Sequence, residues 1–224
     1  MSAIIFDTET TGMNEPVIVE AAWIQIRDPF TLSPEDEFEG RYNPGKPIEL
    51  GALSTHHILD EELVNCPTAS EFALPPGVEY LIGHNVDYDW KVIGEPPVKR
   101  ICTLALARAL LPEIDSHTQS ALLYFFERDN ARHLTRNAHS AMHDVMNCRL
   151  VLDYLLVRMR QVTEYTTWED VWEWSEQARI PKVMTFGKHK GTPIKDVPWD
   201  YKRWLLNQPD VDPYLAKALN GGGA

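Results

Sequence analysis

Five short apolar runs, each bounded by turn signals, constrain the fold of this chain more than any other feature of its sequence. They lie at residues 3–6, 17–26, 38–42, 78–82 and 98–102. Runs of this length, rich in apolar and β-branched residues and closed by breaker residues, predict strands. Helical spacing predicts helices at 53–58, 61–64, 103–111, 118–127, 140–159, 167–177 and 213–219. Strands first, with interleaved helices and a helical finish, predict an α/β sheet layered with helices.

The character of the sequence changes after residue 160 and divides the chain into unequal parts. We expect a main domain at 1–163, a helical linker at 164–181 and a small basic module at 182–220. Two glycines within 184–193 predict a tight hairpin in that module. A chain of 224 residues is long enough for one large domain with such an appendage.

The charge of the chain is strongly acidic but uneven. It has 21 Lys and Arg against 33 Asp and Glu, a formal net charge of −12. Proteins that grip nucleic acid by bulk charge are usually basic, so this class is excluded. Residues 182–203 nevertheless hold six basic and two acidic side chains, a net charge of +4. This segment is either a solvated basic hairpin or a local contact for a polyanion.

The cysteines and the hydropathy of the chain bear on its compartment. Cys66, Cys102 and Cys148 are odd in number and widely spaced. That pattern fits neither a disulfide framework nor a zinc site, so it predicts reduced thiols in a cytoplasmic protein. No stretch is long and apolar enough to suggest a membrane span, and we expect no secretory signal at the start of the chain.

Two carboxylates, Asp7 and Glu9, close the first predicted strand. Residues i and i+2 of a strand face the same side, so both side chains project together from its C-terminal end. They repel each other there unless a cation lies between them. An isolated pair of this kind is more often a solvated strand end, so it does not establish a metal site alone.

A second acidic segment, at 84–89, follows the fourth predicted strand. Asp87 suits a helix N-cap, and Asp89 would then lie in the first helical turn, where the helix dipole favours a carboxylate. Capping explains either residue taken alone. The segment by itself leaves open which acid belongs to a functional site.

The third segment, with His139 and Asp144, opens the longest predicted helix. Five residues at about 100° each would put these side chains about 140° apart on a continuous helix, so they could not share a site. If Ser140 is the N-cap, His139 lies on the preceding loop and can reach a ligand held by Asp144. For a lone histidine beside a lone aspartate, a surface position is the more common case.

Together and in this order, the three segments resemble the motifs of the DnaQ-like (DEDDh) 3′–5′ exonuclease family. The matching residues are Asp7-Thr8-Glu9-Thr10, His84-Asn85-x-x-Tyr88-Asp89 and His139-x-Ala141-x-x-Asp144. The resemblance selects Asp89 over Asp87 and His139 over His143. It covers residues 3–160 and implies a ribonuclease H-like mixed five-stranded sheet flanked by helices. The segments 101–108, 185–191 and 201–205 resemble the exodeoxyribonuclease X-like branch of the family.

This resemblance implies a metal-dependent exodeoxyribonuclease that releases nucleoside 5′-monophosphates from DNA 3′ ends, in DNA repair. Asp7, Glu9, Asp89 and Asp144 would hold two Mg²⁺ ions, with Mn²⁺ as a substitute, because Mg²⁺ prefers oxygen ligands. Two such ions about 3.5–4 Å apart stabilise the attacking and leaving oxygens of an in-line displacement. His139 would accept a proton from the attacking water, and a free histidine has a pKa of roughly 6.5, which suits a base near neutrality.

The resemblance also implies contacts to the terminal nucleotide. Thr10, Thr11 and Gly12 would line its pocket, and His56 would lie near the 3′ end. The same residues are compatible with a plain strand-ending turn and a partly buried helix histidine. Asn85 is expected to order the turn before Asp89, with or without a substrate contact.

The basic module supplies two further candidates, Lys188 and Lys190, which we expect to contact the substrate backbone. Trp168, Trp172 and Trp174 could stack bases, but tryptophans at helical spacing are more often packing residues, and we interpret them so.

The expected partner is a DNA 3′ end, single-stranded or duplex, and a homodimer is compatible with the family. Two alternatives stay open: the same chemistry on RNA 3′ ends, and a proofreading subunit held on a polymerase. The motifs are shared among these functions, so only the C-terminal module favours DNA.

Overall fold

The computed structural model describes residues 2–136 and 138–221. The chain divides into two compact units, at 1–173 and at 174–224, which are described separately. The division falls inside a helix, Trp168–Ala178, within the segment that the sequence assigns to the linker.

The first unit is built on the predicted mixed five-stranded sheet, with strand order β3-β2-β1-β4-β5. The strands are β1 (Ser2–Thr10), β2 (Ile18–Ile26), β3 (Pro34–Arg41), β4 (Val78–Gly83) and β5 (Lys99–Cys102). β1 pairs antiparallel with β2 and parallel with β4, so it occupies the centre of the sheet. β2 is buried along almost its whole length, which explains why its sequence is one nearly continuous apolar run.

The edge strand β3 begins four residues earlier than the sequence indicates. Its first residues, Pro34-Glu35-Asp36-Glu37, are exposed and acidic, so they lack the apolar signal of a strand. Antiparallel pairing with β2 nevertheless extends to Pro34. Charged residues and proline are typical of an edge strand, since they discourage pairing with other chains.

Among the described residues, seven α-helices lie wholly within the first unit, and an eighth crosses its boundary with the second. They are α1 (Leu50–His56), α2 (Asp60–Leu63), α3 (Asp87–Val92), α4 (Thr103–Leu110), α5 (Gln119–Phe126), α6 (Ala131–Leu134), α7 (Ala141–Met159) and α8 (Trp168–Ala178). The sequence did not predict α6, which is a single turn and too short to show a periodic pattern. α7 packs against β1, β2, α4 and α5, so it closes one face of the sheet.

Two other sequence expectations can be checked in this unit. Trp168 is buried and its indole N–H donates to the carbonyl of Arg27 at 3.2 Å, which confirms a packing role. Cys66, Cys102 and Cys148 are free thiols. Among the residues that the structure describes, no helix is long and apolar enough to cross a membrane.

β4 ends before β1 does, and this leaves the last part of β1 open on one side. The parallel register of the two strands runs only from Ser2 to Ile5 on β1, while β1 continues to Thr10. The last residues of β1 therefore lack a strand neighbour on the β4 side. In open α/β sheets such gaps beyond the carboxyl ends of parallel strands are where ligands bind.

The second unit is a small helical module with its own apolar core. Its helices are α9 (Trp199–Leu206) and α10 (Pro213–Leu219), and Ile180, Met184, Ile194, Leu205 and Leu215 are among the buried core residues. The predicted hairpin is a compact turn: Met184 N–H donates to Thr192, and Gly191 N–H donates to Met184.

A buried glutamate, Glu20, ties α7 to the sheet. It is only 3% exposed, and its Oε2 accepts a hydrogen bond of 3.0 Å from the backbone N–H of Ala141, the first residue of α7. Its Oε1 accepts a second one of 3.0 Å from Nε of Arg41 on β3. Arg41 also donates to the exposed Glu62 at 2.9 Å. One carboxylate thus satisfies an unpaired donor at a helix N-terminus and neutralises a cation beside it.

We predict that Glu20→Ala lowers the free energy of unfolding by about 1–3 kcal/mol, because it leaves the buried N–H of Ala141 without its acceptor, while Arg41 keeps only its exposed partner Glu62. Glu62→Ala serves as the matched control and should cost less than about 1 kcal/mol, since that ion pair is exposed. Urea unfolding of both variants measures the difference. Equal losses would show that Glu20 does not anchor α7.

Candidate active site

Asp7 and Glu9 lie in the last part of β1, beyond the residues that pair with β4. On its other side β1 stays paired with β2, and Glu9 lies opposite Glu20 in that register. The sequence motif therefore places two carboxylates at the mouth of the central gap, with a third acid on the neighbouring strand.

Asp89 joins this group from α3. Its carboxylate is buried and its Oδ1 accepts two hydrogen bonds from Thr8, one of 3.0 Å from the backbone N–H and one of 2.6 Å from the hydroxyl. The backbone donor of Thr8 is available because β4 no longer pairs with β1 at this point.

Asp87, the alternative acid in the same segment, points elsewhere. The N-cap of α3 is Val86, so Asp87 is the first helical residue rather than the cap, and it forms an ion pair with Arg100 on β5. The structure thus brings Asp89, and not Asp87, to β1.

His139 and Asp144 meet at the start of α7. Ser140 is the N-cap of this helix, as predicted, although its side chain does not make the capping hydrogen bond. His139 precedes it with a φ of +70°, a left-handed conformation that is uncommon for residues other than glycine. The backbone N–H of His139 donates to Oδ2 of Asp144 at 2.9 Å. Gln119, on α5, donates to Oδ1 of the same carboxylate at 3.2 Å.

Three of these side chains are close enough to share one metal ion. A ring nitrogen of His139 and carboxylate oxygens of Glu9 and Asp144 all lie within 4.8 Å of one another. Oxygen and imidazole nitrogen ligands of this kind suit a divalent cation.

The electrostatics of the group also favour a cation. Burial, followed by repulsion from Asp89, Asp144 and Glu9, raises the pKa of Asp7 well above its ordinary value. Burial and the neighbouring carboxylates raise the pKa of Glu9 to about 8. Burial raises the pKa of Asp89 to about 7, although its bonds from Thr8 act in the opposite direction. Burial also raises the pKa of Asp144. Ionised carboxylates in such a cluster are costly, and a divalent cation would remove that cost.

The turn after β1 is fixed by side-chain bonds. The hydroxyls of Thr10 and Tyr88 are 2.6 Å apart, and Thr11 receives a hydrogen bond of 3.2 Å from the backbone N–H of Val17. Gly12 has a φ of +144°, and a Cβ there would lie 2.2 Å from the side chain of Glu49. Only glycine therefore fits at this position.

His56 supports the same turn from α1. It is buried, and its Nε2 lies 3.2 Å from the carbonyl of Thr10 while its Nδ1 accepts from the backbone N–H of Ile58 at 3.0 Å. Because Nδ1 accepts, Nε2 carries the proton and donates to Thr10. Burial lowers the pKa of His56, which keeps this neutral form. Both ring nitrogens are thus occupied within the protein.

Asn85 occupies the turn before α3 with a φ of +69°, and its carbonyl accepts from Tyr88 N–H at 3.1 Å. It also borders a cavity of about 590 Å³ that His84, Arg108 and Gln119 help to line. Gln119 connects this cavity to the carboxylate of Asp144.

Lys188 and Lys190 lie in the second unit and are both exposed. Their positions are described only within that unit.

Three residues that support the acids were missed in the sequence. Glu20 could have been noticed as a single acid inside an apolar strand. Thr8 lies between Asp7 and Glu9 on the strand, so strand periodicity predicts that its side chain faces the other side of the sheet. The sequence pattern therefore gave it no role in the site. Gln119 gave no local signal, because its contact with Asp144 joins two helices.

Comparison with known proteins places this site in a family. The model of the RNase_T exonuclease family matches residues 4–152. Exodeoxyribonuclease 10 of Escherichia coli strain K12 is 29% identical over 221 residues, which cover 96% of this chain and 96% of that protein. The PolC-type DNA polymerase III of Bacillus cereus is 27% identical over 173 residues, which cover 70% of this chain and 11% of the polymerase.

A solved structure agrees with these matches. Exonuclease X in complex with 5′-overhanging duplex DNA superposes with a TM-score of 0.57 and 26% identity, covering 76% of this chain and 99% of that one. The ribonuclease H-like fold expected from the motifs is confirmed. The chain belongs to the RNase_T exonuclease family, and it is a DnaQ-like 3′–5′ exonuclease.

Proposed function

We propose that this protein is a Mg²⁺-dependent 3′–5′ exodeoxyribonuclease that releases nucleoside 5′-monophosphates in DNA repair. The observation that supports this most directly is the convergence of Asp7, Glu9, Asp89 and Asp144 with His139 at the gap between β1 and β4. A polyanionic substrate would be repelled by four bare carboxylates, so the cluster makes chemical sense as a holder of cations.

The four carboxylates would hold the metal, with Mn²⁺ as a substitute for Mg²⁺. When bound, these ions would stabilise charge on the reacting phosphate and activate a water molecule. The chain's own groups fix the ligands: Thr8 holds Asp89 with two hydrogen bonds, and Gln119 and the His139 N–H hold Asp144. Ligands that are oriented in this way lose little freedom on binding.

His139 would accept the proton of the attacking water at a ring nitrogen. Its side chain is exposed and lies on the loop before α7, with a ring nitrogen close to Glu9 and Asp144. A residue in this position could pass a proton from the site to solvent. Its left-handed backbone is compatible with this role, because strained residues cluster at functional sites. The proximity of its ring nitrogen to Glu9 and Asp144 would also suit a direct metal ligand, and variants can separate the two roles.

DNA is favoured as the substrate by the full-length similarity to exodeoxyribonuclease 10, which spans 96% of both chains and so includes the second unit. Thr10, Thr11 and Gly12 would line the terminal nucleotide, Asn85 would border it, and His56 would act by holding the Thr10 carbonyl. Lys188 and Lys190 would contact the backbone of the substrate. The three free cysteines support a reducing cytoplasmic location.

Proofreading is the second candidate. It is supported by the similarity of 70% of this chain to part of PolC-type polymerases. In that case the protein would act with a polymerase, and its activity on free DNA would be slow.

We predict that His139→Ala lowers the turnover of single-stranded DNA by roughly 10²–10⁴-fold, the usual contribution of a general base. Its affinity for Mn²⁺, measured by calorimetry, should stay within a few-fold of wild type. Asp7→Asn should lose both turnover and metal binding. His143→Ala, in the first turn of α7 and also exposed, is the matched control. If His139→Ala abolishes Mn²⁺ binding, the residue is a ligand and not the base.

We also predict that the metal-free protein loses stability as the pH rises from about 4.5 to 8. The folded state raises the pKa of Glu9 from 4.5 to about 8, so it binds a proton in this range that the unfolded chain has released. Stability therefore falls as the pH rises through this range. Urea unfolding in chelator at pH 5 and pH 8 should show the decrease, and saturating Mg²⁺ should reverse it at pH 8.

Glu9→Gln tests the cause of this pH effect, because it removes one titrating group and keeps its size. In chelator it should unfold at a higher urea concentration than wild type at pH 8, and gain less from Mg²⁺. If Glu9→Gln and the wild type show the same change in stability between pH 5 and pH 8 in chelator, the pH effect does not come from Glu9.

A further inference from the structure

Two tryptophans of the second unit, Trp199 and Trp204, are exposed to solvent. They are 63% and 54% exposed, although tryptophan is usually well buried in folded proteins. Both belong to α9 and lie about 140° apart around it, with Arg203 and the exposed Asp200 in the arc between them. We call Trp199, Arg203 and Trp204 the stacking face.

The stacking face is not an unfilled part of the core. At 100° per residue, Trp199, Arg203 and Trp204 span an arc of about 140°. Leu205 occupies the opposite side of α9 and packs in the apolar core of the unit, and Leu206, beside Trp199, is packed partly against that core. The unit therefore already has its core, and the tryptophans make a second surface.

Trp204 is held in place by neighbouring rings. Tyr201 lies under it with a centroid distance of 5.4 Å, and His189 packs on Tyr201 at 4.7 Å. A Cβ at Gly187 would lie 2.5 Å from the hydroxyl of Tyr201, so the turn at 184–193 sits tightly against this ring. A ring fixed before binding loses little entropy when a ligand stacks on it.

The charge around the stacking face indicates which class of ligand it would bind. Lys188 and Lys190 flank His189 on the same turn, and both are exposed. Residues 174–224 carry eight basic and five acidic side chains, a net charge of +3, whereas residues 1–173 carry 13 and 28, a net charge of −15. Exposed aromatic rings within a locally basic surface are the arrangement that binds the bases and phosphates of single-stranded nucleic acid.

We propose that the stacking face is a binding site for single-stranded DNA, in which Trp199 and Trp204 stack on bases while Arg203, Lys188 and Lys190 contact phosphates. Duplex DNA does not fit this chemistry, because the faces of its bases are already stacked on one another. The inference rests on the proposed function and deepens it, since it gives the second unit a means to bind the substrate strand.

The test uses a circular single-stranded DNA, which has no 3′ end and so cannot occupy an exonuclease active site. Binding of a labelled circle to the full-length protein is followed by fluorescence anisotropy in chelator, at two salt concentrations. Trp199→Leu with Trp204→Leu should weaken binding at least about 30-fold, the lower bound for two stacked bases. The corresponding pair of Phe substitutions should retain most of it, because phenylalanine can still stack.

Two further variants control for nonspecific effects. Tyr124→Leu removes an aromatic side chain that is 46% exposed on α5 of the first unit, and it should bind the circle like wild type. Lys188→Gln with Lys190→Gln should weaken binding and flatten its salt dependence, with the logarithmic slope reduced by about 1.4 for two phosphate contacts. Circular dichroism spectra confirm that each variant is folded.

Several results would overturn the inference. Equal affinity of the wild type and the Leu pair for the circle would show that the tryptophans do not bind DNA. Tighter binding of a matched RNA circle or of nicked duplex would assign the surface to another nucleic acid. Loss of self-association in the Leu pair, with no change in DNA binding, would make it a protein interface. Because degradation of linear DNA is measured separately, failure of this inference leaves the exonuclease proposal intact.

Discussion

The repulsion among carboxylates at the end of β1 is the constraint on which the rest of the site depends. Asp7, Glu9, Asp89 and Asp144 come from three separate elements and would separate if the fold allowed it. Their raised pKa values record the cost of holding them together. A divalent cation bound among these carboxylates would offset this cost and favour the folded state.

Rigid supports keep the acids in place against this repulsion. β1 stays paired with β2 at Asp7 and Glu9, so these residues cannot withdraw without breaking that pairing. Thr8 holds Asp89 with a backbone N–H that does not pair with β4, because β4 ends at Gly83. Glu20 anchors the first residue of α7, and so fixes the helix that carries Asp144. Glu20 also adds to the repulsion felt by Asp7 and Glu9, so the anchor itself increases the demand for a cation.

The sequence was sufficient to predict the sheet and the acidic residues, but not the contacts that hold those residues in place. Strand patterns located β1, β2, β4 and β5 to within a few residues, because those strands are buried and apolar. The start of β3 was missed since an acidic edge strand has no such pattern. The choice of Asp89 over Asp87 came from family resemblance, and its physical cause, the pairing of Asp87 with Arg100, joins α3 to β5. The contacts of Thr8 and Gln119 likewise join distant segments, which local periodicity does not encode.

The central claim is that this carboxylate cluster removes nucleotides from DNA 3′ ends with the help of a divalent metal. The most direct measurement is a digest of 5′-labelled DNA, single-stranded and duplex, beside RNA of the same sequence, with Mg²⁺ and with chelator. The account predicts a ladder of DNA shortened from the 3′ end in Mg²⁺, with nucleoside 5′-monophosphates as products and no ladder in chelator. Intact DNA under every condition, a ladder that persists in chelator, or degradation of the RNA alone would contradict it.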